Sequence, residues 1–381
     1  MEFAWNKEQL ERYESICNYV KEHISPLIEE RGIDTYFTRE EWRLCGEGGL
    51  LGLSVPKALG GQGLGWVDSA HAMEAFGYTS DDAGLPFSAG AHLFAVAMPI
   101  VEFAREEVAQ ELLPRMCSGE LIGANAISEE TSGSDVFSLE MSVEKDGDDY
   151  ILNGFKNYIS NGPIADIFVT YGTMNPKHGF LGITAFAVDR DTPGFWTEEP
   201  FYKTGVKSVP GTVAHFENCR LPARRRLGKE GQGGSIFNRS MQWERACLIA
   251  IFLGVMERQI ERAVAFVKER RQFKRSLASF QSVSHAIAEM KLELEAARLL
   301  AYRGCWLSEQ GEKATSEISM AKIAVTETAI RLGIKGTQIL GGPAIKDEGG
   351  MERALRDALA ASIASGPTNI QREIIAKGLG L

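Results

Sequence analysis

The glutamate at position 244 is the candidate proton acceptor of this 381-residue chain. It lies in the run Trp243-Glu244-Arg245, at the start of a long helical pattern. A carboxylate that is held in an apolar, water-poor pocket acts as a modest general base, which suits it to removing a proton from carbon. The alternative interpretation is an ordinary surface charge on an amphipathic helix.

A second group of candidate residues lies upstream and is suited to binding a cofactor. Segment 126–135 reads AISEETSGSD. A turn that contains Gly133 and Ser134 offers backbone N–H groups and a hydroxyl to the anionic oxygens of a dinucleotide. Ser128 offers a hydroxyl and an amide to a ring edge. Taken alone, the segment is equally compatible with a polar turn that ends a strand.

Segment 153–162, NGFKNYISNG, adds an aromatic ring at Tyr158 and a hydroxyl at Ser160. Together with AISEETSGSD it resembles the signatures of the acyl-CoA dehydrogenase superfamily, where this second signature is NGxKxWITNG. The resemblance implies that the cofactor is FAD, that Tyr158 packs on the isoalloxazine, and that Ser160 hydrogen-bonds near N5. Tyrosine for tryptophan and serine for threonine keep the aromatic plate and the hydroxyl donor.

Two later segments resemble the family's motifs for the adenosine and pyrophosphate part of a neighbouring subunit's FAD. RRQF at 270–273 with FQ at 280–281 is similar to RxxFGxxxxxFQ, and QILGG at 338–342 is similar to QxxGG. Lys274 replaces the usual glycine, so we expect a different turn there. A basic helix end with a hydrophobic staple is the alternative for the first segment. By this resemblance, the cofactor-contacting residues are Ala126, Ser128, Gly133, Ser134, Tyr158, Ser160, Arg270, Phe273, Gln281, Gln338, Gly341, Gly342 and Asn369.

The C-terminal stretch 363–372, IASGPTNIQR, resembles the place where most family members carry the catalytic base, in the pattern EGTxxIQR. Here Ser365 occupies the glutamate position. A subset of the family, including isovaleryl- and long-chain-type enzymes, instead uses a glutamate that precedes an arginine, as Glu244 does. The resemblance therefore implies that the base is relocated to Glu244. We expect Ala364 and Ser365 to form a smaller wall opposite it, which admits a compact cyclic amino-acyl group.

Three stretches resemble a biosynthetic branch that oxidises prolyl groups on carrier proteins, most narrowly the prolyl-acyl carrier protein oxidases of anatoxin-type biosynthesis. They are 84–93, 175–182 and 280–284. The implied reaction is FAD-dependent α,β-dehydrogenation of a prolyl thioester on the phosphopantetheine of an acyl or peptidyl carrier protein. Its product would be a dehydroprolyl, 1-pyrroline or pyrrolyl thioester. The alternatives are a short- or branched-chain acyl-CoA dehydrogenase, a catalytically silent flavin-binding homologue, and a helical scaffold without flavin.

The elements that must position these residues change character twice along the chain. The predicted fold class is α+β and acyl-CoA dehydrogenase-like, with an N-terminal α-helical domain (1–120), a middle antiparallel β domain (121–230) and a C-terminal helical bundle (231–381). Apolar residues near a period of 3.6 predict a helix over 9–29. Short β-type runs without helices between them predict an antiparallel barrel or sandwich; they lie at 150–154, 167–171, 183–188 and 213–216. Five helices are predicted to form the bundle, at 236–269, 280–309, 314–340, 351–363 and 368–378.

Composition narrows the classes of partner. The net charge of −10 argues against nucleic-acid binding, and no run of 18 or more apolar residues predicts a membrane span. The N-terminal residues 1–8 lack the features of a signal or transit peptide. Six cysteines without a CxxC pair favour reduced thiols in a cytoplasmic protein and no metal site.

The sequence also leads to expectations about the oligomeric state and about a surface for a carrier protein. The resemblance implies a homotetramer, a dimer of dimers, because Arg270 and Gln281 would contact a neighbour's FAD. An acidic carrier protein would need a local basic surface on this acidic chain. The candidates are 224–226 (RRR) and 274–275 (KR), both of which are also compatible with ordinary surface charge.

Overall fold

The computed structural model describes residues 4–346 and 350–381. Residues 1–3, which belong to the N-terminal segment assessed above for targeting signals, lie outside the described residues. Three regions follow one another along the chain, and the first is helical. Its α-helices are α1 (Lys7–Tyr19), α2 (Ser25–Arg31), α3 (Arg39–Glu47), α4 (Trp66–Thr79), α5 (Gly84–His92), α6 (Met98–Phe103) and α7 (Glu106–Cys117).

Two of these helices begin at side-chain caps that the sequence specifies. Asn6 and Gln9 form a capping box at the start of α1, and Thr38 and Glu41 form one at the start of α3. The predicted helix over 9–29 is confirmed, with a π-helical segment, Val20–Ile24, between α1 and α2. The glycine-rich stretch that follows α3 holds only the short 3₁₀ turn Lys57–Leu59 before α4 begins.

The segment Gly84–Phe103 is long and apolar enough to cross a membrane by length and composition. It comprises α5, the π-helical segment Leu93–Ala97 and α6. However, 89% of its most apolar window is buried inside the protein. Its apolar composition is therefore accounted for by its place in the core.

The middle region forms one sheet. Its strands are β1 (Gly123–Ala126), β2 (Ser142–Asp146), β3 (Asp149–Ser160), β4 (Ile167–Thr173), β5 (Ile183–Asp189), β6 (Phe195–Thr197), β7 (Gly211–Pro222) and β8 (Arg226–Leu227). The order across the sheet is β6-β7-β3-β2-β4-β5-β8, with β1 also paired to β4. All four predicted strands are confirmed within longer strands.

The sheet is mixed, whereas the sequence predicted an antiparallel one. Strands β1 and β4 pair in parallel from Gly123–Ile167 to Ala126–Thr170, and β2 meets β4 in parallel at Ser142. Parallel neighbours need a crossover connection. Here the β2–β3 hairpin lies between β1 and β4 and provides the crossover. The sequence pattern did not predict the parallel pairing of β1, because β1 has only four residues, of which two are alanine.

The third region is helical again and includes a small hairpin. Its elements are α8 (Gly233–Trp243), α9 (Ala250–Glu269), β9 (Arg271–Gln272), β10 (Arg275–Ser276), α10 (Gln281–Glu309), α11 (Thr315–Leu340), α12 (Met351–Ile363) and α13 (Thr368–Gly378). The predicted helices are confirmed, and a π-helical segment, Glu244–Leu248, joins α8 to α9. One hydrophobic cluster runs through all three regions, so they share a continuous core.

Candidate active site

A cavity of about 670 Å³ lies between the sheet and the C-terminal helices. Six of the predicted catalytic and cofactor-binding residues line it, and they come from both sides. They are Ser128, Gly133, Ser134, Tyr158, Ser160 and Glu244. The fold thus brings one candidate base and five candidate cofactor ligands to the same space, although they are far apart in sequence.

A buried ion pair fixes the loop that carries Ser128. Lys156 Nζ, fully buried, lies 2.6 Å from Glu129 Oε1 and donates to the Ile127 carbonyl at 3.0 Å. Asn157 N donates to the Ser128 carbonyl at 2.7 Å. Burial lowers the pKa of Lys156 to about 8, and Glu129 opposes this shift. The loop after β1 is therefore attached to β3 on both sides of Ser128.

Tyr158 is aimed at the cavity by an irregularity in β3. The pairing of β3 with β7 shifts register between Lys156 and Ile159, and Tyr158 has a φ of +58°. Such bulges redirect side chains next to functional sites. Tyr158 is 71% exposed, and its ring meets Phe201 edge to face with centroids 5.9 Å apart. An exposed aromatic face at a cavity wall is suited to covering a planar ligand.

Observations along the same wall fit a flavin. A Cβ placed on Gly133 would meet nothing within 4 Å, so its backbone is open to a close approach. The side-chain oxygen of Asn125 is buried without a hydrogen-bond partner in the described part of the chain, and Asn125 lines the cavity. Buried polar groups are normally paired, which points to a ligand donor. The sequence reasoning missed Asn125; its signal was a single amide between two alanines.

Glu244 forms part of the opposite wall and is only 7% exposed. It opens the π-helical segment Glu244–Leu248, an irregularity that is frequent at functional sites. Ser365 Oγ donates to its Oε1 at 2.6 Å. Burial raises the pKa of Glu244, while the Ser365 hydroxyl and the positive charges of Arg245 and Lys322 oppose the rise. Glu244 is therefore not an ordinary surface charge.

The turn between α12 and α13 is bound tightly to the helices around it. Ser365 and Gly366 have φ angles of +56° and +90°. Arg245 Nε donates to the Ser365 carbonyl at 2.7 Å, and Lys322 Nζ donates to the Gly366 carbonyl at 2.6 Å. Gln371 Nε2 also donates to Gly366, at 2.9 Å. Ser365 thus contacts Glu244 directly, whereas the sequence predicted only a smaller wall opposite it.

Two of the residues that hold this turn have shifted pKa values. Burial lowers the pKa of Lys322 to about 7 and that of Arg245 to about 10. Lys322 and Gln371 were missed by the sequence reasoning. For Lys322 a signal existed, because it is a lone charge in the apolar run Ser319-Met320-Ala321-Lys322-Ile323-Ala324, where an unpaired lysine would be costly.

Aromatic stacking fixes the helix that leads into Glu244. The rings of Trp66 and Trp243 stack with centroids 3.6 Å apart, and Trp243 Nε1 donates to Glu102 at 2.8 Å. Apolar side chains complete the cavity near this helix; they are Phe87, Ala91, Ala95, Phe237 and Met241. The candidate base therefore faces a largely apolar part of the cavity.

The other predicted cofactor residues do not line the cavity. Six of them lie exposed where the ends of α9, α10 and α11 meet, namely Arg270, Phe273, Gln281, Gln338, Gly341 and Gly342. These ends are held together, because Ile287 and Leu340 pack on Ala263 and Ala344. A Cβ on Gly341 or Gly342 would meet nothing within 4 Å. Ala126 is buried in β1, and Asn369 lies in the first turn of α13, next to Arg372.

The turn at Lys274 is a tight hairpin built from two non-glycine residues. Phe273 and Lys274 form the two-residue loop of the β9–β10 hairpin, with φ angles of +50° and +64°. Positive φ at both positions is characteristic of tight hairpin turns and normally favours glycine or asparagine. The Phe273 ring is 86% exposed as a result.

The triple arginine 224–226 is not a free basic surface. Arg224 and Arg225 lie 2.7 and 2.6 Å from the carboxylate of Glu111, and Arg225 also pairs with Asp189. Arg226 donates to the Glu230 carboxylate at 3.3 Å. These carboxylates offset the positive charge of the cluster, which favours ordinary surface charge over a docking site.

Similarity to known proteins covers the whole chain. Family models described as the N-terminal, middle and C-terminal domains of acyl-CoA dehydrogenase match residues 6–120, 124–219 and 231–380. An L-prolyl-(peptidyl-carrier protein) dehydrogenase of Pseudomonas fluorescens is 45% identical over 100% of both chains.

Solved structures agree with these matches. The structure described as PigA with FAD and proline superposes with a TM-score of 0.98 at 38% identity, covering 100% of each chain. The prolyl acyl carrier protein oxidase AnaB superposes with a TM-score of 0.95 at 37% identity, covering 99% of this chain and 100% of its own.

Proposed function

This chain belongs to the acyl-CoA dehydrogenase family, and we propose that it uses FAD to dehydrogenate a prolyl group held as a thioester on a carrier protein. The observation that carries the proposal is a buried glutamate facing, across one cavity, the serines and the exposed tyrosine suited to a flavin. Relatives named for this reaction match the chain over essentially its full length.

Glu244 is proposed as the base that removes the proton from the prolyl Cα. Its burial favours the neutral carboxyl, so accepting a proton is easier here than for a glutamate in water. The apolar side chains that line the cavity near Glu244 would limit the access of water to the carbanion-like centre that develops at Cα. Bound FAD would accept a hydride from Cβ. Loss of the proton and the hydride leaves a Cα=Cβ double bond, and the enamine can tautomerise to 1-pyrroline.

The sheet side of the cavity is proposed to hold the flavin end of FAD. Ser128 and Ser160 would hydrogen-bond its ring edge, the Tyr158 ring would pack on its face, and Gly133 with Ser134 would bind the pyrophosphate. Asn369 and Ala126 remain proposed contacts that no lining position supports. This assignment rests on the geometry of the wall and on the open backbone at Gly133.

The adenosine end of FAD is proposed to reach a second copy of the chain. Arg270, Phe273, Gln281, Gln338 and the glycines 341–342 are exposed at one end of the bundle, outside the cavity of their own chain. Residues placed in this way are suited to binding the FAD of a neighbouring subunit. We therefore propose that the chain forms a homotetramer. A cytoplasmic location is proposed as well, because all six cysteines are free thiols.

The helical, β and helical domains are proposed to meet near residues 120 and 230. The support is that α7 ends at Cys117 before β1, and β8 ends at Leu227 before α8.

The proline ring would lie near Ala364, where a small side chain leaves room. We expect an Ala364→Glu variant to slow prolyl oxidation strongly by filling this space; an unchanged rate of flavin reduction would contradict this placement.

The test compares substrates under anaerobic conditions. Purified holoenzyme is mixed with prolyl-carrier protein and, separately, with a panel of acyl-CoAs, and the flavin absorbance is followed. Bleaching by the prolyl thioester alone supports the proposal. Bleaching only by a short or branched acyl-CoA would instead assign the catabolic alternative, and no bleaching by any thioester would assign a silent flavin-binding homologue.

A further inference from the structure

We propose that Ser365 is a positioning residue for Glu244, and that Arg245, Lys322 and Gln371 serve to hold the turn that presents it. The inference rests on the proposed function, because it concerns the base of that reaction. It also gives a role to the position at which the resembling family pattern EGTxxIQR has its glutamate. There the chain keeps a hydrogen-bond donor aimed at the relocated carboxylate.

The backbone at Ser365 is in a conformation that a serine adopts only under constraint. Its φ of +56° lies in the left-handed region, which non-glycine residues populate rarely. Such conformations persist where surrounding contacts over-determine them, and they cluster at functional sites. Here the turn is followed by Gly366 and Pro367, which complete the reversal into α13.

Three side chains supply those surrounding contacts, and in the described structure none of them hydrogen-bonds to Glu244 itself. Arg245 donates to the carbonyl of Ser365, while Lys322 and Gln371 donate to the carbonyl of Gly366. The Gln371 amide is held in turn by Ser319 Oγ, which donates to its Oε1 at 3.0 Å. The donors come from three different helical segments, so the turn cannot shift without breaking these partly buried hydrogen bonds.

The Ser365 hydroxyl has two effects on the carboxylate it contacts. An O–H donor stabilises the ionised form, which is the form that accepts a proton. It also occupies Oε1, and among the described residues no protein donor bonds to Oε2. Oε2 is therefore the oxygen left for the substrate Cα proton. The hydroxyl both fixes the orientation of the base and opposes the loss of charge caused by burial.

Other charged and titratable groups face Glu244 from every side, and the test must separate them from Ser365. Arg245 follows it on the same helix, Lys322 comes from α11, and Tyr171 lies behind it on β4. Asp135, Glu373 and Lys377 line the same cavity. All of these remain in a variant that lacks only the hydroxyl.

The experiment uses Ser365→Ala and Ser365→Gly holoenzymes, with Ser362→Ala as the matched control. Among the described residues, the Ser362 side chain bonds only within its own helix, where its Oγ donates to the Leu359 carbonyl. The glycine variant removes the hydroxyl and relieves the backbone constraint, whereas the alanine variant removes the hydroxyl alone. The rate of anaerobic flavin reduction by prolyl-carrier protein is measured against pH, together with the dissociation constant of the thioester.

Both Ser365 variants should reduce flavin about tenfold more slowly near neutral pH, with the acidic limb of the profile moved upward by about one pH unit. Thioester binding should stay within about twofold, since the hydroxyl acts on the base. A slower rate with the acidic limb of the pH profile in its wild-type place would mean a purely structural role and would overturn the proposal. An unchanged rate of flavin reduction would overturn it as well.

A second measurement does not depend on turnover. Infrared titration of the carboxyl stretch of Glu244, identified by subtracting the spectrum of a Glu244→Gln protein, should show protonation at higher pH in both Ser365 variants. An identical titration in wild type and variants would overturn the inference. A wild-type protein that no prolyl thioester bleaches would refute the proposed function alone, and the titration would still decide the role of Ser365.

Discussion

Lys156 and Glu129 form an ion pair directly behind the loop that carries Ser128, with side-chain exposures of 0% and 4%. The pair does not touch the cavity, but Glu129 also accepts from the backbone N–H groups of Glu140 and Met141. Two charges removed from water gain little net stability over an apolar pair, whereas removing one partner leaves the other unpaired. The pair therefore specifies where the Ser128 loop lies more than it adds stability.

We expect Lys156→Met to lower the free energy of unfolding by about 3–5 kcal/mol, because Glu129 would remain buried without its cation. FAD affinity should fall with it, since the Ser128 loop loses its anchor. Lys207→Met is the matched control, since Lys207 pairs with Asp34 at the surface; it should cost less than about 1 kcal/mol. Urea unfolding checks both variants, and equal losses would contradict the role of burial.

At the scale of elements, the sequence predicted long periodic segments well and contacts between distant segments poorly. The helix over 351–363 and the strand beginning at Ile167 follow from local pattern alone. Strand β1 was missed because four residues carry too little pattern. The Glu244–Ser365 hydrogen bond joins residues 121 positions apart, so no local signal could reveal it. The left-handed Phe273 and Lys274 were equally invisible, because neither residue type favours that conformation.

One interaction between elements carries a pH dependence. Gly123 N, at the start of β1, donates to Nδ1 of the buried His92 on α5, at 2.8 Å. Burial lowers the pKa of His92 from 6.5 to about 4. The unfolded chain therefore binds a proton below about pH 6.5 that the folded chain does not bind until about pH 4. The free energy of unfolding should fall as the pH drops through this window, because the unfolded state binds more protons there than the folded state does.

We expect His92→Asn to reduce this dependence, since asparagine has no titrating group; the buried His71, whose pKa burial also lowers to about 4, keeps its own contribution. Thermal unfolding midpoints of both proteins between pH 4 and 7 provide the measurement. The exposed His178 supplies the control: His178→Asn should leave the wild-type profile unchanged. A wild-type profile that persists in the His92 variant would assign the pH dependence to other groups.

At the scale of the whole molecule, the division of the predicted cofactor residues into two sets is the main structural fact. One set lines the cavity and the other lies exposed at one end of the helical bundle. The sequence motifs could predict both sets, but a single chain does not bring them together. A second copy that places its bundle end near the cavity would unite them around one FAD.

Light scattering should therefore give a particle of about four times the 41.8 kDa chain mass. The Arg270→Ala variant should lose FAD readily, although Arg270 lies outside the cavity of its own chain. The positive charge proposed to bind the pyrophosphate of a neighbour's FAD would be missing. Arg43→Ala, which changes an exposed arginine of the N-terminal region, should retain FAD. A stable monomer that holds FAD would contradict the shared site.

Glu244 is the residue on which the proposed reaction depends most. The most direct measurement is anaerobic mixing of a Glu244→Gln holoenzyme with prolyl-carrier protein, beside a Glu373→Gln control from the same cavity. The Glu244 variant should keep its FAD and its fold but reduce flavin about 100- to 10,000-fold more slowly, while the control stays near the wild-type rate. A Glu244→Gln enzyme that bleaches at the wild-type rate would contradict the account.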